Sequence, residues 1–241
     1  MKCAVVACGI AGALLAVSTM VSAGGNLLLA GVEKRGRGEH YVYAGALLPL
    51  PGDHRLGQGW VARVWADSLR YGYEVSNPAL YPRDPQRIDA RGQGLELALG
   101  YHESRGGLSV AGYAGMRYAD TRFTPDDPGS RVRGSELWPK LQLDVAYEFS
   151  PRWRTQNIAA YTFGLEQYWV RSHLLYRTQD AFDLGPELVL LGDRDFRAAK
   201  IGIVLGGLQP TPDSTLALRA GRHVQSGADS FYVGLDFGLG F

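Results

Sequence analysis

The chain has 241 residues, with 25 basic against 24 acidic, 46% hydrophobic and 11% aromatic residues, 32 glycines and two cysteines. Such a length suits one domain, and so even a charge balance lacks the net positive field that nucleic-acid binding needs. Nucleic acid is therefore excluded as an expected partner.

At the N-terminus Lys2 precedes an apolar run over 4–17, and Val21-Ser22-Ala23 supplies the small-residue pattern that a signal peptidase cuts. Residues 1–23 read as a cleaved secretory signal. The run is shorter than the roughly twenty residues a helical anchor needs. Too little of this run precedes Cys8 for a lipoprotein site, so Cys3 and Cys8 leave with the signal. The mature segment, 24–241, is then formally neutral and has no thiol for a disulfide, a metal site or a nucleophile. It also has no apolar stretch long enough for a spanning helix, so a membrane would have to be crossed by strands.

Period-two alternation marks strand candidates over 26–33, 41–48, 60–71, 88–101 and 108–121. In the next, Leu137, Leu141, Leu143, Val145, Tyr147 and Phe149 alternate with Glu136, Lys140, Gln142, Asp144 and Glu148, oily on one face and polar on the other. Further candidates cover 154–163, 168–176, 184–191, 196–205 and 215–222. The last has Phe231, Val233, Leu235, Phe237, Leu239 and Phe241 on one face and small or polar residues on the other. These total about twelve, an even number as single-chain bacterial barrels have, with ten as the fallback. The expected fold is an all-β, transmembrane, antiparallel up-and-down barrel in the outer membrane, in contact with its lipid.

Connection lengths agree with that threading. Segments 72–86 and 121–134, rich in Pro, Asp and Gly, are the long outer loops, while 102–107, 150–151 and 209–213 are short periplasmic turns. A longish inner turn near Pro51 and a very short outer turn at Gly164-Leu165 break the parity. Aromatic residues sort to two girdles: Tyr101, Tyr147, Phe149, Trp153, Tyr176 and Phe241 at the inner rim, and Tyr118, Tyr161, Phe163, Tyr168 and Phe231 at the outer. A final strand with Phe237 and Leu239, ending on Phe241, resembles the signal read by the barrel assembly machinery.

The lumen face collects Glu96, Arg117, Glu136, Lys140, Asp144, Arg171, His173, Glu187, Lys200, Arg219 and Asp236. An ion-pair network filling a narrow barrel is the favoured reading. The rival is a polar pore or sugar-binding lumen with Trp169 and Tyr113 as stacking platforms.

Hydrolytic chemistry finds little support. His102 and Ser104 share a strand face, weakly resembling the His-x-Ser of lipid A deacylase barrels, but the threading sets them at the periplasmic rim, away from that substrate. A surface-turn or rim histidine is expected instead. Ser172 and His173 are adjacent and point to opposite faces. In the outer loop, Asp126-Asp127-Pro128-Gly129-Ser130 reads as ordinary turn chemistry, and the ligand spacing of an EF-hand calcium loop is absent. No cofactor, catalytic residue or metal site is expected.

Arg87-Ile88-Asp89-Ala90-Arg91, Asp120-Thr121, Pro125-Asp126-Asp127-Pro128-Gly129-Ser130 and Val132-Arg133-Gly134 form one set of matching strings. Tyr161-Thr162-Phe163-Gly164, Tyr168-Trp169-Val170-Arg171, Leu174-Leu175-Tyr176-Arg177 and Gly185-Pro186-Glu187 form another. Together they resemble the BcsS family of outer-membrane proteins associated with bacterial cellulose biosynthesis, over most of the mature chain. Trp138-Pro139 departs from the family pattern, and a proline there puts the register of its strand in question. The resemblance implies a non-enzymatic accessory role in cellulose or related exopolysaccharide secretion, with cellulose or secretion components as partners. A small porin-like channel and an outer-membrane lipid hydrolase are the alternatives.

Overall fold

A computed structural model describes residues 25–76, 81, 85–178, 182–225 and 229–241. The expected signal over 1–23 lies outside these residues.

Alternating side chains build twelve strands: β1 (Leu27–Arg35), β2 (Glu39–Pro49), β3 (Gly59–Val75), β4 (Gln86–Arg105), β5 (Leu108–Thr124), β6 (Gly134–Ser150), β7 (Trp153–Thr162), β8 (Gln167–Arg177), β9 (Asp183–Gly192), β10 (Arg197–Leu208), β11 (Ser214–Gln225) and β12 (Ser230–Gly240). Each pairs antiparallel with its chain neighbours, and β1 pairs with β12 to close the barrel. Closure gives every strand two neighbours, and Asn26 and Phe241 exchange backbone bonds of 2.8 and 3.0 Å at the seam. Both termini therefore share one rim, the terminal rim; the opposite one is the distal rim. No helix among the described residues is long and apolar enough to cross a membrane.

The pleat sends Leu95, Leu97, Leu99, Leu141, Leu143, Ile201, Ile203 and Val233 outward, all exposed, and turns charged residues into the lumen. Aromatic rings fringe the apolar wall. Trp60, absent from the expected girdle, joins it at the terminal rim and meets Tyr101 edge-on at 5.3 Å.

Strands β3 to β6 run 17 to 20 residues, whereas β7 to β12 run 10 to 12. The long ones exceed their sequence-derived bounds mostly at the distal end, where Val75 still pairs with Gln86. Outward residues toward that end are Arg70, Glu74, Arg87 and Asp89, while Tyr71, Tyr73, Ile88 and Phe123 turn inward and are buried, so the hydrophobic alternation inverts where the ladder continues. At the other end β4 continues to Arg105, which moves His102 from the expected turn into the strand.

Two prolines sit where their missing N–H costs least. Pro139 lies one residue beyond the last pair of β6 with β7, Lys140↔Thr162, and its carbonyl accepts from Phe163 N at 2.9 Å. The register of β6 against β5 therefore runs undisturbed through Pro139. Pro186 falls in a gap of the β8–β9 ladder, between His173↔Glu187 and Tyr176↔Leu184.

Candidate functional site

The interior is the feature that could carry function, and large side chains fill it. Trp65, Arg117, Tyr232, His223, Glu96 and Glu187 are among its fully buried members. Gly45 on β2 lets Trp65 of β3 lie flat across the neighbouring strand, stacked on Tyr43 at 4.8 Å, because a Cβ at Gly45 would strike the indole.

Besides that of Arg154, which donates to Asp183 of β9, the buried ion pairs among the described residues fall into two groups. On one side Glu96 of β4 receives Lys140 of β6 and lies 3.4 Å from Arg63 of β3, while Arg117 of β5 grips Asp67 of β3 through bonds of 2.8 and 2.9 Å. On the other, Arg219 of β11 donates to Asp236 at 2.7 and 3.1 Å and to Glu33 at 3.1 Å, and stands 3.6 Å from Glu187. Lys200 also donates to Glu33. Tyr43 and Tyr232 donate to Asp236 and Glu187 at 2.7 and 2.8 Å. Arg171 lies 3.9 Å from Asp236, reaching from β8 toward β12. Asp144 accepts from Gln142 at 2.8 Å. Opposed charges so deeply buried persist only when each is held by partners, as these are.

Glu136 stands apart from both groups. It is half-buried near the distal rim, where it accepts from Trp138 Nε1 at 3.0 Å. Trp169 and Tyr113 do face inward, but arginines occupy their ring faces, Arg171 over Trp169 at 5.1 Å and Arg63 over Tyr113 at 5.2 Å.

At both mouths a connection folds inward. At the terminal rim the connection 50–58, longer than parity predicts, folds inward and buries Leu56. Gly57 N donates to His102 Nδ1 at 3.2 Å, and His102 Nε2 bonds Tyr113 Oη at 2.7 Å. This histidine is thus a buried rim residue and not a surface-turn one, because the inward loop covers it. With both ring nitrogens engaged, it does not serve Ser104, which bonds Ser109 at 2.8 Å. His173 bonds Glu187 at 2.7 Å, while Ser172 sits half-exposed on the opposite face of β8.

At the distal rim the loop 125–133 forms a lid. Asp126 is exposed and pairs with Arg133 at 2.7 Å. Asp127 turns inward, 1% exposed, and accepts the hydroxyls of both Tyr73 and Tyr81 as well as Gly129 N at 2.9 Å. What resembles a simple turn is also a latch. Its partners lie 54 and 46 residues upstream, and the tyrosines carry no signal that would single them out. The lid is then tied to the connection 193–196, where Asp195 accepts from Arg131 N and Nε at 2.7 and 2.8 Å and from Ser130 Oγ at 3.2 Å. Beneath it Val132, Leu165, Glu136 and Asp193 line a void of about 10 Å³, room for one water. Burial pushes the Asp193 carboxyl up to about 7, against bonds from Asp195 and Phe196 backbone N–H that lower it. Among the described residues no group of His, Cys, Asp and Glu is arranged to hold a metal ion.

Solved structures similar to this chain are outer-membrane barrels. The KdgM porin aligns with a TM-score of 0.50 at 9% identity, over 87% of this chain and 97% of that one. The transport unit of the autotransporter AIDA-I from Escherichia coli aligns with a TM-score of 0.55 at 9% identity, over 95% and 93%. At such identities the likeness is one of fold. No curated protein matches the chain by sequence. The family described as "Cellulose biosynthesis protein BcsS" matches residues 27–241, from the first strand to the terminal phenylalanine. The chain belongs to the BcsS family of cellulose biosynthesis proteins.

Proposed function

We propose that this protein is a non-enzymatic accessory barrel of cellulose secretion, seated in the outer membrane with its terminal rim toward the periplasm. Membership of the BcsS family over the whole described barrel carries the reading. The apolar wall between aromatic girdles supports the membrane seat. Contact with the polysaccharide or its secretion machinery falls to the distal loops, since the lumen side chains Arg117, Lys140, Asp144, Arg171, Glu187, Lys200 and Arg219 are committed to one another or to buried neighbours. The non-enzymatic part rests on the histidines, whose ring nitrogens bond groups other than serine at His102 and His173.

Deleting the gene and staining cellulose at the cell surface tests this role. Surface cellulose should fall and return with the wild-type gene; unchanged cellulose overturns the proposal. Planar-bilayer conductance tests the porin-like alternative. A large, steady conductance from the purified chain would favour a solute channel.

A further inference from the structure

Five basic residues form one continuous row across the exterior of β1 to β5. Lys34 stands opposite His40, His40 opposite Arg70, Arg70 opposite Arg91 and Arg91 opposite Arg122. All five belong to the outward-facing set; His40 is half-buried and the others are exposed. Side chains directly opposite on neighbouring strands start about 5 Å apart, and like charges so placed repel.

The nearby acids relieve that repulsion at Arg122 alone among the described residues. Asp89 lies 3.4 Å from Arg87, and Asp120 takes Arg122 Nε at 2.9 Å and Ser135 Oγ at 2.8 Å. Among the described residues neither Arg70 nor Arg91 has an acidic partner. The opposite arc differs: Arg222 on β11 pairs with Asp229 at 3.4 Å, and the rings of Tyr161 and Phe231 occupy that part of the rim.

The row follows the edge of the apolar band. Lys34 and His40 are the next outward residues after Val32 and Val42, and Arg70, Arg91 and Arg122 are the second after Ala66, Leu95 and Tyr118. Each outward step is about 7 Å along a strand. The donors therefore lie within one or two steps of the point where hydrocarbon gives way to headgroups.

We propose that Lys34, His40, Arg70, Arg91 and Arg122 form a docking row for the phosphate groups of the phosphorylated glycolipid in the outer leaflet. The proposal rests on the outer-membrane reading above. Guanidinium groups present paired donors that match phosphate oxygens, and a ligand carrying more than one phosphate bridges neighbouring arginines and cancels their repulsion. Its acyl chains lie along the apolar wall below, on Val32, Val42, Leu95 and Met116. A soluble phosphate would use the arginines and leave that wall unused, and this favours the lipid as the source.

The test titrates the folded full chain in detergent with bis-phosphorylated lipid A and, separately, with its dephosphorylated form. The phosphorylated lipid should bind about tenfold tighter or more, weakening with salt. Arg70→Gln with Arg91→Gln should remove most of that preference, and Arg222→Gln should leave it. Equal binding of the two lipids by the wild type overturns the proposal without any variant. So does an unchanged preference in the double variant, or displacement of the lipid by pyrophosphate at equal concentration, which would mark a soluble-anion site. Heat-modifiable mobility and vesicle insertion are scored on the same samples. A chain that inserts in no vesicle overturns the membrane reading and this proposal with it, whereas one that inserts without discriminating overturns this proposal alone.

Discussion

Arg117 and Asp67 join β5 to β3 over the top of β4, their two bonds passing above Gly94, where an added Cβ would collide with both side chains. The glycine is a clearance for an ion pair between strands that are not neighbours. Arg117→Ala strands a buried carboxylate and should cost about 3 to 5 kcal/mol. Gly94→Ala should lower the unfolding midpoint in lipid in the same direction, and combining the two should cost less than their sum, because both break one contact. Full additivity would count against the clearance role.

Arg219 and Arg171 should separate sharply when each is cut to alanine. Arg219 touches Asp236, Glu33 and Glu187, so its loss leaves three buried carboxylates under-neutralised and should reach or exceed the upper end of about 3 to 5 kcal/mol. Arg171 keeps one ion pair at 3.9 Å and a ring contact, and its loss should cost about 1 to 2 kcal/mol. Denaturant midpoints in lipid give the order; equal losses would refute the hub role of Arg219.

The distal lid depends on Asp127. Asp127→Ala leaves the Tyr73 and Tyr81 hydroxyls without their acceptor, at about 1 to 3 kcal/mol each where burial is complete. The barrel should stay folded, while single-channel traces should gain brief openings that the wild type lacks. Identical quiet traces would show that the lid does not close the distal mouth.

Asp193 predicts a pH dependence. Its carboxyl is raised from 3.8 to about 7 in the folded protein, so the docked connection 193–196 binds a proton that the undocked one releases. That contribution is full below about pH 4 and is lost as pH rises through about 7. Asp193→Asn should raise the thermal midpoint relative to wild type at about pH 8, with the gap closing by about pH 4. A gap that is constant with pH would rule out titration of this carboxyl.

Phe241 completes the closing seam through its backbone bonds with Asn26, while its ring projects outward, 61% exposed. If Phe237, Leu239 and Phe241 form the assembly signal, Phe241→Ala should reduce heat-modifiable barrel in outer-membrane fractions severalfold in cells. Refolding of the purified variant in detergent should change little, which separates recognition from stability.

The wall was legible in the sequence because outward and inward positions alternate within each strand, and a period of two needs no partner to be seen. Twelve strands and both aromatic girdles follow from it, although Trp60 was missed. The distal strand ends, 72–75 of β3, 86–87 of β4 and 122–124 of β5, were not legible, since there the alternation inverts, with charged residues facing out and Tyr73, Ile88 and Phe123 facing in. The inward loop 50–58 showed only as a length out of parity, and nothing in Leu56 or Gly57 announces that they cover His102. Asp127 offers the clearest limit: its turn chemistry was visible, but of the two tyrosines that hold it Tyr81 lies within a long connection and Tyr73 on its far side.

The unequal strands give the barrel a compass bearing. A cylinder with a level rim looks alike from every side, but here β3 to β6 stand as a parapet on one arc, while β7 to β12 end low with short connections at 163–166 and 193–196. With the distal rim at the cell surface, as proposed above, an object lying along it would meet a wall from one direction and a threshold from the other. A fibre resting across two such barrels would therefore find both low sides only if the pair were turned to a common heading, so rotation about the membrane normal becomes something a neighbour can sense.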